Sequence, residues 1–365
     1  MTLTRFQKFG FLGIAAATSL GGFYLSEMSA QGRNLQTPAA QIDVKRDFNV
    51  PMADAQTDAI VTAANAFLDT LNTEQRAAAV FDFADNTQRA NWSNFPDGPV
   101  VRQGVMRGNM SETQLDALNT LLRTALSEEG YQNVLYQLAA EESLENGPGE
   151  PNFGDDFYYV SFLGEPALDA PWMFQFGGHH LAINVTVFGP DLSFSPMLTG
   201  GEPLRINVSD ETVYITEKET TAAAALIHSL SDAQKKEAIR SDKAINLLLG
   251  PGEFGTTLAP EGVKGSDLTD SQRALLMDVI KARLGFINAD DFAAKMAVVG
   301  SQLDDTYFGW WGPEAPLGAA YFRVTGPSVV MEYAPQDLDA DPTNHAHNMY
   351  RDPQNDYGTM WIAAE

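Results

Sequence analysis

The chain has 365 residues, with 48 acids against 23 bases and a formal charge of −25. Such a surface repels nucleic acid and anionic membranes, so neither is expected as a partner. The absence of cysteine excludes disulfides, a thiolate nucleophile and a Cys-type zinc site; any metal must be held by His, Asp, Glu or backbone oxygen.

At 44% hydrophobic and 10% aromatic, the chain can bury a substantial core, and its length predicts two units or one large pseudo-symmetric one. Arg5 and Lys8 precede a mostly apolar or small run, Phe9 to Tyr24, and small residues follow at Ser29-Ala30. This pattern predicts an export signal over 1–30, with an uncleaved anchor as the alternative. Residues 31–53, with Gly32, Pro38 and Pro51, read as a linker. The remainder is expected in the periplasm or secreted, with no membrane contact beyond such an anchor.

One pattern then recurs four times: an apolar residue, a small polar residue, two polar residues, then Gln. It stands at Leu71-Asn72-Thr73-Glu74-Gln75, Met110-Ser111-Glu112-Thr113-Gln114, Leu230-Ser231-Asp232-Ala233-Gln234 and Leu268-Thr269-Asp270-Ser271-Gln272. Each is a capping box: the small polar side chain accepts from the N–H three residues on, and Gln reaches back. After the second and fourth boxes comes a helical region, then an Asp-Asp pair opening an aromatic run, at Asp155 to Phe162 and Asp304 to Trp311. Two further strand-like runs follow each: Trp172 to Phe176 and Leu181 to Val187, then Tyr321 to Thr325 and Val329 to Tyr333. The order predicts an α+β fold of two internally similar halves, 54–215 and 216–365. Each half is a set of helices followed by antiparallel strands, and the two sets of strands could share one sheet. Glu141 and Glu142, at the end of a helical pattern, read as solvated, and Gly-Pro-Gly at 147–149 and 250–252 reads as turns.

Four of the five histidines fall in two short clusters, Gly177-Gly178-His179-His180 and Asn344-His345-Ala346-His347. In extended chain, residues two apart share a face, so His345 and His347 can reach one ion. Neighbours alternate, so His179 and His180 should not both ligate unless the glycines introduce a bulge. The four histidines are candidate ligands for one divalent transition metal, zinc or copper first, because three imidazoles with an open position activate water on zinc. Glu332 and Asp356 are candidate fourth ligands. Arg351 and Asp356 are the candidate catalytic groups: Arg351 could bind an anionic small-molecule substrate, and Asp356 could orient an imidazole. His228, in a helical stretch, reads as an ordinary histidine, and Arg107 as one half of an internal ion pair.

The segments Trp172 to Leu181 and Asn344 to Gly358, with Trp92-Ser93-Asn94-Phe95-Pro96 and the capping box at Met110, resemble a bacterial exported family of unknown function, number 3500 in the uncharacterised-domain series. The resemblance covers about residues 55–358 and implies family membership without supplying catalytic residues. The expected function is that of an exported metal-binding protein, as a metal-dependent hydrolase-type enzyme. A non-catalytic periplasmic metal or small-ligand binder, or a copper or iron oxidoreductase, are the alternatives.

Overall fold

All four capping boxes form. Asn72, Ser111, Ser231 and Thr269 each accept from the backbone N–H three residues on, while the Gln at that position reaches back to the cap. They start helices in the computed structural model, which describes residues 42–98, 100–145, 152–254, 258–336 and 341–364. The expected export signal, residues 31–41 of the expected linker and the turn at 147–149 lie outside the described residues.

In chain order the first part contains α1 (Ala55–Thr70), α2 (Thr73–Ala79), β1 (Val80–Phe81), α3 (Asn86–Arg89), β2 (Val105–Met106), α4 (Glu112–Ala125) and α5 (Glu128–Glu145). Strands β3 (Tyr159–Leu163), β4 (Trp172–Gly178), β5 (Leu181–Phe188), β6 (Asp191–Ser193), β7 (Met197–Gly201), β8 (Arg205–Val208) and β9 (Glu211–Tyr214) follow. The second part begins with α6 (Glu217–Ser229), α7 (Asp232–Ala238), β10 (Ile239–Ser241), β11 (Val263–Lys264), α8 (Asp270–Leu284) and α9 (Ala289–Ser301). It ends with β12 (Tyr307–Trp311), β13 (Tyr321–Gly326), β14 (Val329–Pro335), β15 (Ala346–Arg351) and α10 (Thr359–Ile362).

The fold is mixed α+β, and strands from both parts join one large mixed sheet. Its order is β1-β3-β4-β5-β7-β15-β14-β13-β12-β10, with β2 on β3, β11 on β12 and β6 on β5. The described residues form one compact unit. Side chains alternate across the sheet as a period of two requires. On β4 and β5, Trp172, Phe174, Phe176, Leu181, Ile183 and Val185 join the main core with Leu118 and Leu122 of α4 and Leu226 of α6. The opposite face is covered by irregular chain, where Trp92 and Leu247 pack with Ala182, Leu198 and Met349. The described end of the expected linker is packed rather than free: Ile42 is buried with Leu163, Tyr357 and Ile362, and Lys45 N–H donates to the Ile362 carbonyl at 2.9 Å. No helix among the described residues is long and apolar enough to cross a membrane.

Candidate metal centre

The two histidine clusters meet on the face of the sheet that the irregular chain covers. His179 and His180 are the two turn residues of the β4–β5 hairpin, closed by the pairs Gly177↔Ala182 and Gly178↔Leu181. His180 has φ 55°, a left-handed conformation that costs an ordinary L-residue about 1–2 kcal/mol. Strand β7 lies between β5 and β15, pairing Ala182 with Leu198 on one side and His347 with Gly200 on the other. Two residues further along the first register stand His180 and Gly200, so the two imidazoles face each other across a position that has no side chain. A Cβ at Gly200 would come within 2.2 Å of the Ala346 carbonyl oxygen, so only glycine fits there.

His180 Nε2 lies 2.9 Å from His345 Nε2 and 3.2 Å from His347 Nε2. All three residues are buried, and their ligand atoms lie within 4.8 Å of one another. A neutral imidazole carries one N–H and one lone pair, so a single proton satisfies only one of the two contacts at His180 Nε2. A cation satisfies both. Nitrogens about 2.0–2.1 Å from a tetrahedral zinc ion stand roughly 3.3 Å apart, so the rings need to open by only a few tenths of an ångström. Burial, and then the neighbouring imidazoles, hold His180 and His345 well below the ordinary histidine value of 6.5. Their lone pairs are therefore available at neutral pH.

The surroundings are less complete than the triad. The Nδ1 atoms of His180 and His345 are buried and make no hydrogen bond. A carboxylate oxygen of Glu202 stands 3.8 Å from His345 Nδ1, just outside hydrogen-bond range. Asn94 Nδ2 is 3.4 Å from His347 Nδ1 and 3.3 Å from Nε2. Near-equal distances to both ring nitrogens put the amide over the ring face, as an N–H···π contact. Arg102 fixes the Asn94 loop to the hairpin, donating to the carbonyls of Ser93 at 3.0 Å, Phe95 at 2.6 Å and Gly178 at 3.0 Å.

His179 turns away from the triad. Its Nδ1 is 2.9 Å from Glu141 Oε2, its carbonyl accepts from Tyr158 Oη at 2.7 Å, and its ring packs against Phe153. Glu141, expected to be solvated, is 3% exposed. The signal was present: Tyr131, Val134 and Leu138 are buried along one stripe of α5, and Glu141 continues it at i+3. Asn94 carried no comparable signal, since it sits in irregular chain.

Arg351 and Asp356 are brought together with each other but not with the histidines. The Arg351 guanidinium donates to Asp356 Oδ2, to the Leu249 carbonyl at 2.9 Å and to the Gly250 carbonyl at 2.9 Å. Asp356 also accepts from Ser195 Oγ at 2.6 Å, and burial pushes its carboxyl up against the opposing pull of Arg351. Glu332 accepts from the Leu248 and Leu249 N–H groups and from Tyr321 Oη, so its oxygens are committed elsewhere. His228 is exposed, 3.7 Å from Glu314, and Arg107 pairs with Asp155 at 2.6 Å.

Comparison with the curated proteins and with the solved structures gives no match. The family model described as protein of unknown function (DUF3500) matches residues 53–359, which include all four clustered histidines, Glu141 and Asn94. The chain therefore belongs to the DUF3500 family.

Proposed function

We infer that this chain is an exported metal-binding protein in which His180, His345 and His347 hold one divalent transition-metal ion, zinc or copper first. One observation carries the reading: a buried imidazole nitrogen stands within 3.2 Å of two others, a contact that protons alone leave half satisfied. The donor set favours a metal-dependent, hydrolase-type enzyme. Three imidazoles with no fourth ligand in the triad resemble the sites where bound zinc brings water to a pKa near 7. Imidazole suits copper and iron as well, so identifying the metal selects between hydrolysis and oxidoreduction.

A second reading, a binder that holds metal without turnover, is favoured by burial. The three histidines are 2–6% exposed, and the cavity beside the hairpin, lined by Trp92, Arg102, Gln175 and Asn184, has room for about one water at ≈ 20 Å³. A small, anionic substrate would need an anchor other than Arg351, whose guanidinium is engaged with Asp356. Export rests on the Arg5, Lys8 and Phe9 to Tyr24 pattern.

We also read 54–215 and 216–365 as two copies of one helices-then-strands unit. Matched pairs support this: Gln114 donates to Gln75 at 2.8 Å and Gln234 to Gln272 at 2.8 Å. Likewise β1 runs parallel to β3, and β10 parallel to β12. A crystal structure in which β3–β5 do not superpose on β12–β14 would reject it.

The test of the metal reading is elemental analysis of the tag-free protein beside a His345→Ala, His347→Ala variant. A near-stoichiometric transition metal is expected, with the ion of the His180, His345 and His347 set missing from the variant. No metal in either protein, even after incubation with zinc, copper, nickel and iron, makes these structural histidines.

A further inference from the structure

The triad leaves two buried groups unexplained, and they adjoin it. Glu141, His179 and His180 form a second set whose ligand atoms all lie within 4.8 Å of one another, each residue buried. Among the described residues these are the two sets that meet this limit, and they share His180. Five side chains are more than one tetrahedral ion takes, and no four of them close into a single set.

We propose that the centre holds two divalent ions, with the His180 ring shared between them. Its Nε2 faces His345 and His347, and its Nδ1 is buried and without a hydrogen bond. The His179 ring lies 3.8 Å from the His180 ring, centroid to centroid, and presents Nδ1 beside Glu141 Oε2 at 2.9 Å. That nitrogen–oxygen edge is as short as the shortest edge of the first triad. Glu141 Oε1 is steadied by the Gly154 N–H at 3.4 Å, leaving Oε2 as the atom directed at the histidines. The orphaned Nδ1 of His180 thus gains a partner that no side chain supplies.

The proton balance follows from the donors. A neutral His180 ring has one N–H, and binding an ion at each nitrogen sends that proton to solvent. Ligation through Nδ1 requires the proton of the His179 ring to sit on Nε2. The resulting imidazolate places one negative charge between the cations, and the Glu141 carboxylate adds another at the second ion alone. A set with one carboxylate oxygen is harder than the all-imidazole triad, so it takes zinc more readily than a soft copper(I) ion.

This inference rests on the metal reading above, and stoichiometry separates the two. The full tag-free chain, stripped with chelator, is dialysed against zinc and then against buffer, and zinc per chain is measured. Two per chain are expected for the native sequence, and one each for Glu141→Gln and for His345→Ala, His347→Ala. Saturation of the native chain at one ion overturns the second site and leaves the first. Two ions in the native chain and still two in Glu141→Gln place the second ion elsewhere and also overturn it. No ion at all removes the metal reading itself. Because the native stoichiometry decides first, a variant that fails to fold does not protect the proposal, and His179→Gln replaces Glu141→Gln if it does.

Discussion

Two ends of one strand face show opposite solutions to burying polar groups. At the far end of β15, Arg351 is 3% exposed, yet its guanidinium meets one carboxylate and two carbonyls and lies 5.7 Å from the Trp92 ring. Four residues earlier on the same face, His347 joins His180 and His345 in a cluster where nitrogen meets nitrogen and two ring atoms have no partner. Buried polar groups in folded proteins are nearly always satisfied, and the ion proposed above would account for the exceptions gathered here. The arginine end is satisfied by protein groups alone; the histidine end is where the proposal supplies the remaining partner.

The largest expected effect breaks the complete end. Arg351→Ala leaves Asp356 buried without its cation and two carbonyls without donors. Removing one partner of a buried pair costs about 3–5 kcal/mol. Urea unfolding of the variant should show that loss, while metal per chain is unchanged. Loss of metal with stability intact would instead put Arg351 in the site, where the sequence had placed it.

The next effect sharpens the other end through pH. His180 and His345 have folded values below 6.5, so below that pH the unfolded chain binds more protons than the folded one. Their contribution is present above about pH 6.5 and is lost as pH falls, at up to roughly 1.4 kcal/mol per pH unit for each histidine. Glu219 works in the opposite sense. Burial raises it from 4.5 to about 7, so its contribution is present below 4.5 and fades as pH rises through 7. Comparing metal-free native protein with His345→Asn cancels Glu219, and the native chain should lose more stability between pH 7 and 5. Parallel curves would mean that His345 is not held neutral by burial.

What the sequence made legible was mostly local. A capping box needs only residues three apart, and all four form. The strand runs are visible because their alternation is local too: the expected Val329 to Tyr333 is extended by two residues, to Pro335. The site is different, since Glu141 meets His179 across 38 residues and Asn94 meets His347 across 253. The expected divergence of His179 and His180 is there, but strand alternation is not its cause. Neither is in a strand; the two-residue turn sets their directions, with His180 left-handed and aimed at the triad and His179 aimed at Glu141. Likewise Arg351 and Asp356 looked catalytic from proximity in sequence, and only the packing of 249–250 against them shows where their hydrogen bonds go.

The smallest stability effect is the most discriminating, because it sets backbone strain against ligation at one residue. At φ 55°, His180 holds a left-handed conformation that asparagine also accommodates, with a short side chain that can hydrogen-bond locally. His180→Asn relieves part of that strain but shrinks a buried side chain, and the two changes oppose each other. The metal-free variant should therefore stay within about 1 kcal/mol of the native chain, since each change is itself of that order. Metal binding should disappear, because both ion sets use this ring. A histidine kept for packing alone predicts the reverse: clear destabilisation on substitution and no change in metal content. Melting temperature and metal per chain, measured on one preparation, separate the two, and a strained residue retained without a ligand would be left with no physical account.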